Sequence, residues 1–253
     1  MCAVLIRRMY MKKLVIAVFI ALLVAVPAMA TTTFQLPTSQ DDFKNLTRDL
    51  GLAISYDPLS PAEPLGGLLP GIDAGVEVTT VKINRSASYW QNSVTNPSSL
   101  PNYLFVPKVH VQVGLPVIPL DIGVEFATVP GTDINVIGGE LKYAILSGGI
   151  VMPAVAIRGA YTRLSGIDVF DMETKSLDLS ISKGFVFITP YVGLGQVWIT
   201  GTPKGATTLS TVNSSETKEF IGMKFSVLPI LNIVAEGDFA KVNAYSLRLN
   251  LHF

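Results

Sequence analysis

From Gly71 to Phe253 apolar side chains recur at every second position, and no apolar run there reaches the ~18–20 residues of a membrane-spanning helix. A period of two is the signature of strands, whose successive side chains point to opposite faces. The last eleven residues are the cleanest case. Tyr245, Leu247, Leu249, Leu251 and Phe253 fall on one face, and Ala244, Ser246, Arg248, Asn250 and His252 on the other. With no later strand to pair with, this segment is expected to pair with an earlier one and close a barrel. The composition is 49% hydrophobic. High hydrophobicity without long apolar runs is what lipid-facing, alternating strands produce.

Nine further segments are read as strands. They centre on Ile72–Val78, Val109–Leu115, Leu120–Phe126, Leu141–Ile145, Val155–Tyr161, Leu177–Ile181, Phe185–Thr200, Ile221–Val227 and Ile233–Phe239. Phe185–Thr200 is apolar on both faces, so its register is left open; Pro190 within it predicts a bulge. Long gaps at 84–103, 129–134, 164–175, 201–216 and 240–243 alternate with tight turns near Pro116, Ser147, Lys183 and Pro229. The reading is an all-β chain. It predicts a closed antiparallel transmembrane β-barrel of ten strands, with eight and twelve as alternatives, and both termini on the periplasmic side.

Even strand number, alternating loop lengths and an aromatic last residue together resemble bacterial outer-membrane β-barrel proteins of the small OmpA/OmpX/OmpW-like class. The resemblance covers residues 71–253. It implies that Tyr245, Leu247, Leu249, Leu251 and Phe253 act as the assembly signal. It also implies an outer-membrane location, contact with outer-membrane lipid, and passage through periplasmic chaperones and the barrel-assembly machinery.

The amino-terminal region fits export. Lys12 and Lys13 precede the apolar stretch Leu14–Val26, and Ala28-Met29-Ala30 is a small-x-small cleavage site, so residues 1–30 are read as a signal peptide with Met11 as the true start. Residues 31–70 are read as a periplasmic segment. Within it Ser39 caps a helix over about 39–50, with Asp42 completing a capping-box variant and Phe43, Leu46 and Leu50 on one face. Its expected place is the periplasmic mouth, with a plug inside the barrel as the other placement. Four prolines and two glycines in residues 57–70 exclude regular structure and read as a linker.

The 19 basic and 19 acidic residues balance, but Arg7, Arg8, Lys12 and Lys13 lie in the leader, which leaves the mature chain at a net charge of −4. Nucleic-acid binding, which shows as a basic patch, is not expected. Cys2 is the only cysteine, so there is neither a disulfide framework nor a cysteine metal site. The wet faces of the strands carry Asp73, Glu77, Lys108, His110, Asp121, Glu125, Glu140, Lys142, Arg158, Asp178, Lys224, Glu236, Asp238 and Arg248. These are the candidate lumen-lining residues, and in so narrow a barrel they must pair or be hydrated. No enzyme is expected. The two histidines, His110 and His252, stand on separate strands, away from the extracellular rim, and no Gly-x-Ser-x-Gly elbow occurs. No metal site and no cofactor is expected either. Tyr89, Trp90 and Tyr103, set among small polar residues, are the candidate surface-loop contacts. The expected function is a structural or surface-contact barrel, with a narrow, weakly cation-preferring pore as the alternative.

Overall fold

A computed structural model of the chain describes residues 33–129 and 132–253. The signal peptide, the Met11 start and Cys2 lie outside the described residues. The helix α1 (Gln40–Ile54) comes first. Ten strands follow: β1 (Gly71–Lys82), β2 (Tyr103–Gly114), β3 (Leu120–Thr128), β4 (Asn135–Ser147), β5 (Ala154–Ser165), β6 (Phe170–Ser182), β7 (Ile188–Pro203), β8 (Val212–Leu228), β9 (Leu231–Phe239) and β10 (Ala244–His252). A one-turn helix α2 (Ser88–Gln91) lies in the β1–β2 connection. Each strand pairs antiparallel with its sequence neighbours, and β10 returns to β1, so the sheet is a closed barrel. Closure is in register through Glu77 opposite Arg248 and Val76 opposite Leu249. The backbones of Phe253 and Ile72 extend it with two further hydrogen bonds of 2.8 and 2.9 Å.

The barrel is inside out relative to a soluble one. Val109, Val111, Val124, Ile137, Leu141, Leu179, Val192, Ile221 and Leu247 are exposed on its outer surface, whereas Glu77, Lys108, Asp121, Glu140 and Arg248 are buried inside. Phe105, Phe126, Tyr161, Trp198, Phe239 and Tyr245 stand on the outside toward the mouth formed by the long connections.

Toward that mouth the two faces exchange polarity. In β6, Phe170 and Met172 point inward and are buried, while Asp171 and Glu173 point outward. In β8, Asn213, Ser215, Thr217 and Glu219 are exposed and Val212 is buried. The expected loops 164–175 and 201–216 therefore shrink to 166–169 and 204–211. The upper lumen is apolar because α1 fills it. Phe43 and Leu46 have no exposed surface, and they share a core with Phe170, Met172, Val197, Ile199 and Trp90. Burying each such side chain stabilises by about 1.5–3 kcal/mol.

Of the two expected placements for α1, the structure has the one inside the barrel and not the one against the turn-side mouth. It sits at the long-connection mouth, because its apolar stripe matches the apolar strand ends there. Thr33 and Phe34 lie at the same mouth, bridged to Val94 and Thr95 of the β1–β2 connection. The described chain thus begins at one mouth and ends, at Phe253, near the other, contrary to the expectation of both termini on one side. The Ser39 hydroxyl accepts from the Asp42 amide at 3.4 Å, as an N-cap does. The Asp42 carboxylate is drawn away to Ser88 and Asn92 at 2.8 and 3.1 Å, so the capping box is only half formed. The helix runs four residues beyond its expected end. It stops at Ser55, where the backbone turns extended ahead of Asp57-Pro58.

Residues 55–70 adopt no regular structure, but they are not an external linker. Ser55, Tyr56, Asp57, Leu59 and Ala62 are buried, and the segment descends through the lumen to the start of β1. Pro190 causes no bulge: β7 keeps register through Pro190 opposite Met223. The register shifts fall instead at Ala144/Leu146 and Ser226/Leu228.

Candidate functional site

The threaded segment is irregular, so its backbone polar groups need partners from outside it. The barrel wall supplies them. The Leu59 amide donates to Glu236 at 3.0 Å, the Ala62 amide to the Ser182 hydroxyl at 3.1 Å, and the Leu65 amide to Asp121 at 3.0 Å. In the other direction Arg248 donates to the Leu59 carbonyl at 3.2 Å, Lys218 to that of Tyr56 at 3.3 Å, and Lys142 to those of Pro61 and Glu63 at 3.0 and 3.1 Å.

Asp57 is the hub. Its carboxylate meets Lys108 and Lys218 at 3.4 Å each and accepts the Thr79 hydroxyl at 3.1 Å. Lys108 also faces Glu77 and Glu125 at 3.3 and 3.4 Å, and Lys218 faces Asp238 at 3.2 Å. Arg248 pairs with Glu77 at 2.6 Å. A second group forms where Arg158 meets Asp178 and, at 3.5 Å, Glu140, with its guanidinium 5.7 Å from the Tyr56 ring centre. Lys142 holds Asp121 at 3.0 Å, and the Tyr191 hydroxyl donates to Glu236 at 2.7 Å. Every one of these side chains is buried, so each charge must be met by an opposite charge or, as at Glu236, by hydrogen-bond donors.

Space for this network comes from small wall residues. A side chain at Gly222 would collide with the Tyr191 ring, and one at Gly193 with the Phe220 ring.

Of the sequence-derived lumen residues, Asp73, Glu77, Lys108, His110, Asp121, Glu125, Glu140, Lys142, Arg158, Asp178, Glu236, Asp238 and Arg248 are buried inside the barrel. Lys224 is half-buried and lines a cleft of about 190 Å³ at the turn-side mouth, with Asp73, Lys142, Arg248 and His252. Asp57, Tyr56 and Lys218 belong to the same network but escape the sequence reading. Lys218 sat in a supposed loop edge and Asp57 in a supposed linker.

His110 lies 3.8 Å from Glu140, too long for a hydrogen bond, and edge-on to the Tyr56 ring. His252 is 3.9 Å from Asp73 at the turn-side mouth. No group of three or more His, Cys, Asp or Glu side chains suited to a metal ion occurs among the described residues.

The loop candidates are redirected. Trp90 is 0% exposed and stacked under the loop, its indole N–H 3.4 Å from Asp49 of α1. Tyr89 donates to the same carboxylate at 2.8 Å. Burial first, and then this hydrogen bond, push the Tyr89 phenol up to about 12. Both rings thus clamp the loop onto α1 rather than face outward. Tyr103 is exposed, but it opens β2 on the barrel's outer face. Of the terminal residues, Tyr245, Leu247 and Phe253 are exposed on the outer face, and Leu249 and Leu251 lie on the same face, half-buried.

These features define the class: a closed ten-stranded antiparallel barrel, apolar outside and charged within, whose lumen is occupied by its own amino-terminal segment. Solved structures similar to this chain are outer-membrane barrels. The N-terminal β-barrel domain of Pseudomonas aeruginosa OprF aligns at 13% identity over 72% of this chain and 97% of that one, with a TM-score of 0.36. Ail, the attachment invasion locus protein of Yersinia pestis, aligns at 12% identity over 73% and 97%, with a TM-score of 0.34. The KdgM porin aligns at 10% identity over 72% and 99%, also at 0.34. No family model matches the sequence, and no curated relative matches it.

Proposed function

We propose that this chain is a non-enzymatic bacterial outer-membrane β-barrel, closed along its axis by residues 40–70, that works in envelope structure or surface contact at its long-connection mouth. The observation that carries this reading is the use of the lumen charges. Asp121, Lys142, Lys218, Glu236 and Arg248 bond the backbone of the threaded segment, and Lys108 and Lys218 bond its Asp57. Charges committed in this way line no free path for a solute. The apolar outer belt and its aromatic rim favour a lipid setting, and the export signal expected over residues 1–30 favours the outer membrane. With Tyr89 and Trp90 turned inward, the contact surface is the exposed side of the same loop, including Arg85, Asn96 and Ser98.

A narrow pore is the second reading, favoured by the polar cleft of about 190 Å³ at the turn-side mouth. Conduction would need the plug displaced. Single-channel recording of the mature protein in a planar bilayer, with and without residues 31–70, separates the two. The first reading expects an inserted, silent full-length barrel. Discrete steps from the full-length protein would refute it, and steps confined to the truncated form would make the segment a plug in the functional sense.

A further inference from the structure

The connections at the turn-side mouth carry almost no charge. Residues 65–70, 115–119, 148–153, 183–187 and 229–230 hold one charged side chain, Lys183. Its ammonium is turned onto backbone, donating to the Gly149 and Ile150 carbonyls at 2.8 and 2.7 Å. The tips are apolar and exposed, as at Leu68, Val117, Ile150, Val186 and Ile230. An apolar rim of this extent marks a contact surface and not a solvated edge. It is continuous with the outer wall, where Phe225 and Val227 of β8 are exposed just before the β8–β9 turn.

Inside this rim lies the polar cleft of about 190 Å³. Most charges that line it are matched: Lys142 by Asp121, Arg248 by Glu77, and Asp73 by the Asn250 amide. Two are not. Among the described residues, the Lys224 ammonium and the Glu63 carboxylate form no ion pair or hydrogen bond, with each other or with another group. Both are half-buried, and both flank Thr189. Thr189 stands opposite Lys224 in the β7–β8 ladder. A Cβ at Gly184 would meet Glu63 Oε1 at 3.0 Å and the Thr189 hydroxyl at 3.8 Å. Two opposite charges, partly withdrawn from water and near each other without touching, suit a ligand that carries both signs. The wall is lowest in sequence at β8–β9, where the turn is only Pro229 and Ile230. Ser226 and Pro229 line the cleft there, beside the register shift at Ser226/Leu228. A group seated in the cleft is thus one tight turn away from the apolar outer face.

We propose that the cleft binds the headgroup of a phospholipid with a primary amine, of the phosphatidylethanolamine type. Its phosphate lies on Lys224, its ammonium on Glu63, and its acyl chains pass over Pro229 and Ile230 onto the outer face. Glu63 specifies the amine: a choline head has no N–H to donate, and a glycerol head has no positive charge. Glu63 belongs to the threaded segment and Lys224 to the wall, so the lipid fastens one to the other. This rests on the reading that the outer face lies in lipid, and the experiment separates the two.

The full mature chain is first inserted into phosphatidylcholine vesicles, with co-flotation as the check. It is then extracted in detergent and titrated with dioctanoyl phosphatidylethanolamine, phosphatidylcholine and phosphatidylglycerol, and native mass spectrometry counts the bound lipid. Phosphatidylethanolamine is expected to bind about tenfold tighter than the other two, the worth of one charge-assisted contact. Glu63→Gln should bring the three lipids level, and Lys224→Gln should weaken all three alike. Lys142 holds the carbonyl of Glu63 and not its carboxylate, so Glu63→Gln leaves the segment's backbone bonds in place. Retention of the compact gel form certifies the fold of each variant. Equal binding of the three lipids by a parent chain that floats would overturn the proposal and leave the lipid-facing reading standing. A phosphatidylethanolamine preference that survives both substitutions would also overturn it, because the head would then sit elsewhere. So would glycerophosphoethanolamine binding as tightly as the lipid, because the chains would contribute nothing. A parent chain that does not float with the vesicles would remove the lipid-facing reading and the proposal with it.

Discussion

Replacing Asp57 by Asn tests whether charge holds the threaded segment in place. The substitution keeps size, and an acceptor for the Thr79 hydroxyl, but it removes the charge facing Lys108 and Lys218, both at 3.4 Å. Neither cation is orphaned: Lys108 keeps Glu77 and Glu125, and Lys218 keeps Asp238. The cost of about 3–5 kcal/mol for stranding a buried charge therefore does not apply. What is lost is two charge-assisted contacts, each about 1.5–3 kcal/mol and here long enough to sit at the low end. The sum is about 3 kcal/mol, or about 100-fold in the equilibrium for local opening of the segment. Amide hydrogen exchange read by mass spectrometry measures that equilibrium directly. Protection in peptides covering residues 57–65, where the Leu59, Ala62 and Leu65 amides donate to the wall, is expected to fall about 100-fold. Strands β3 to β6 should be unchanged. Unaltered protection at 57–65 would refute the electrostatic account. Loss of protection in the strands to the same extent would show that the plug and wall open only together.

Three further outcomes are expected. Tyr89 is held as the neutral phenol by burial and by its bond to Asp49, with its folded value near 12, above the ordinary value of 10.0. Its contribution to loop docking is therefore intact below about pH 10 and is lost as pH rises through 12, which ultraviolet titration of Tyr89→Phe against the parent would detect as one missing late-titrating phenol. Gly222→Ala drives a methyl into the Tyr191 ring, and overpacking of this kind costs about 1–3 kcal/mol. A lower midpoint for the loss of the compact gel form on heating would register it, and an unchanged midpoint would mean that the ring moves aside freely. Deleting Phe253 removes two backbone bonds to Ile72 at the closing seam, and the yield of membrane-inserted barrel in cells should drop. Normal insertion would count against an assembly role for the terminal strand.

The wall was legible in the sequence wherever one face meets apolar surroundings and the other a charged lumen, as in β3 and β10. Legibility fails toward the long-connection mouth, where the polarity of the faces inverts. Phe170, Met172, Asp171 and Glu173 alternate correctly for a strand, but in the opposite sense, because the apolar partner there is α1 inside. Asn213–Lys218 is polar on both faces and reads as a loop until its pairing with β7 is seen. The prolines of residues 57–70 rule out regular structure, and they carry no information about whether water or protein surrounds an irregular chain. Asp57 was missed for that reason, since its partners lie 51 and 161 residues away. Tyr89 and Trp90 were misplaced for a related one: their anchor, Asp49, lies 40 and 41 residues back in a helix whose position no local pattern encodes.

The passage of residues 55–70 through the barrel has a consequence of parity. Ten strands traverse the wall an even number of times, so β1 begins on the side where β10 ends. The threaded segment adds an eleventh traverse, and the count becomes odd. Thr33 and Phe253 then lie at opposite mouths of the barrel. If the barrel spans a membrane as proposed, a tag fused ahead of residue 33 and one fused after Phe253 would report different sides of it.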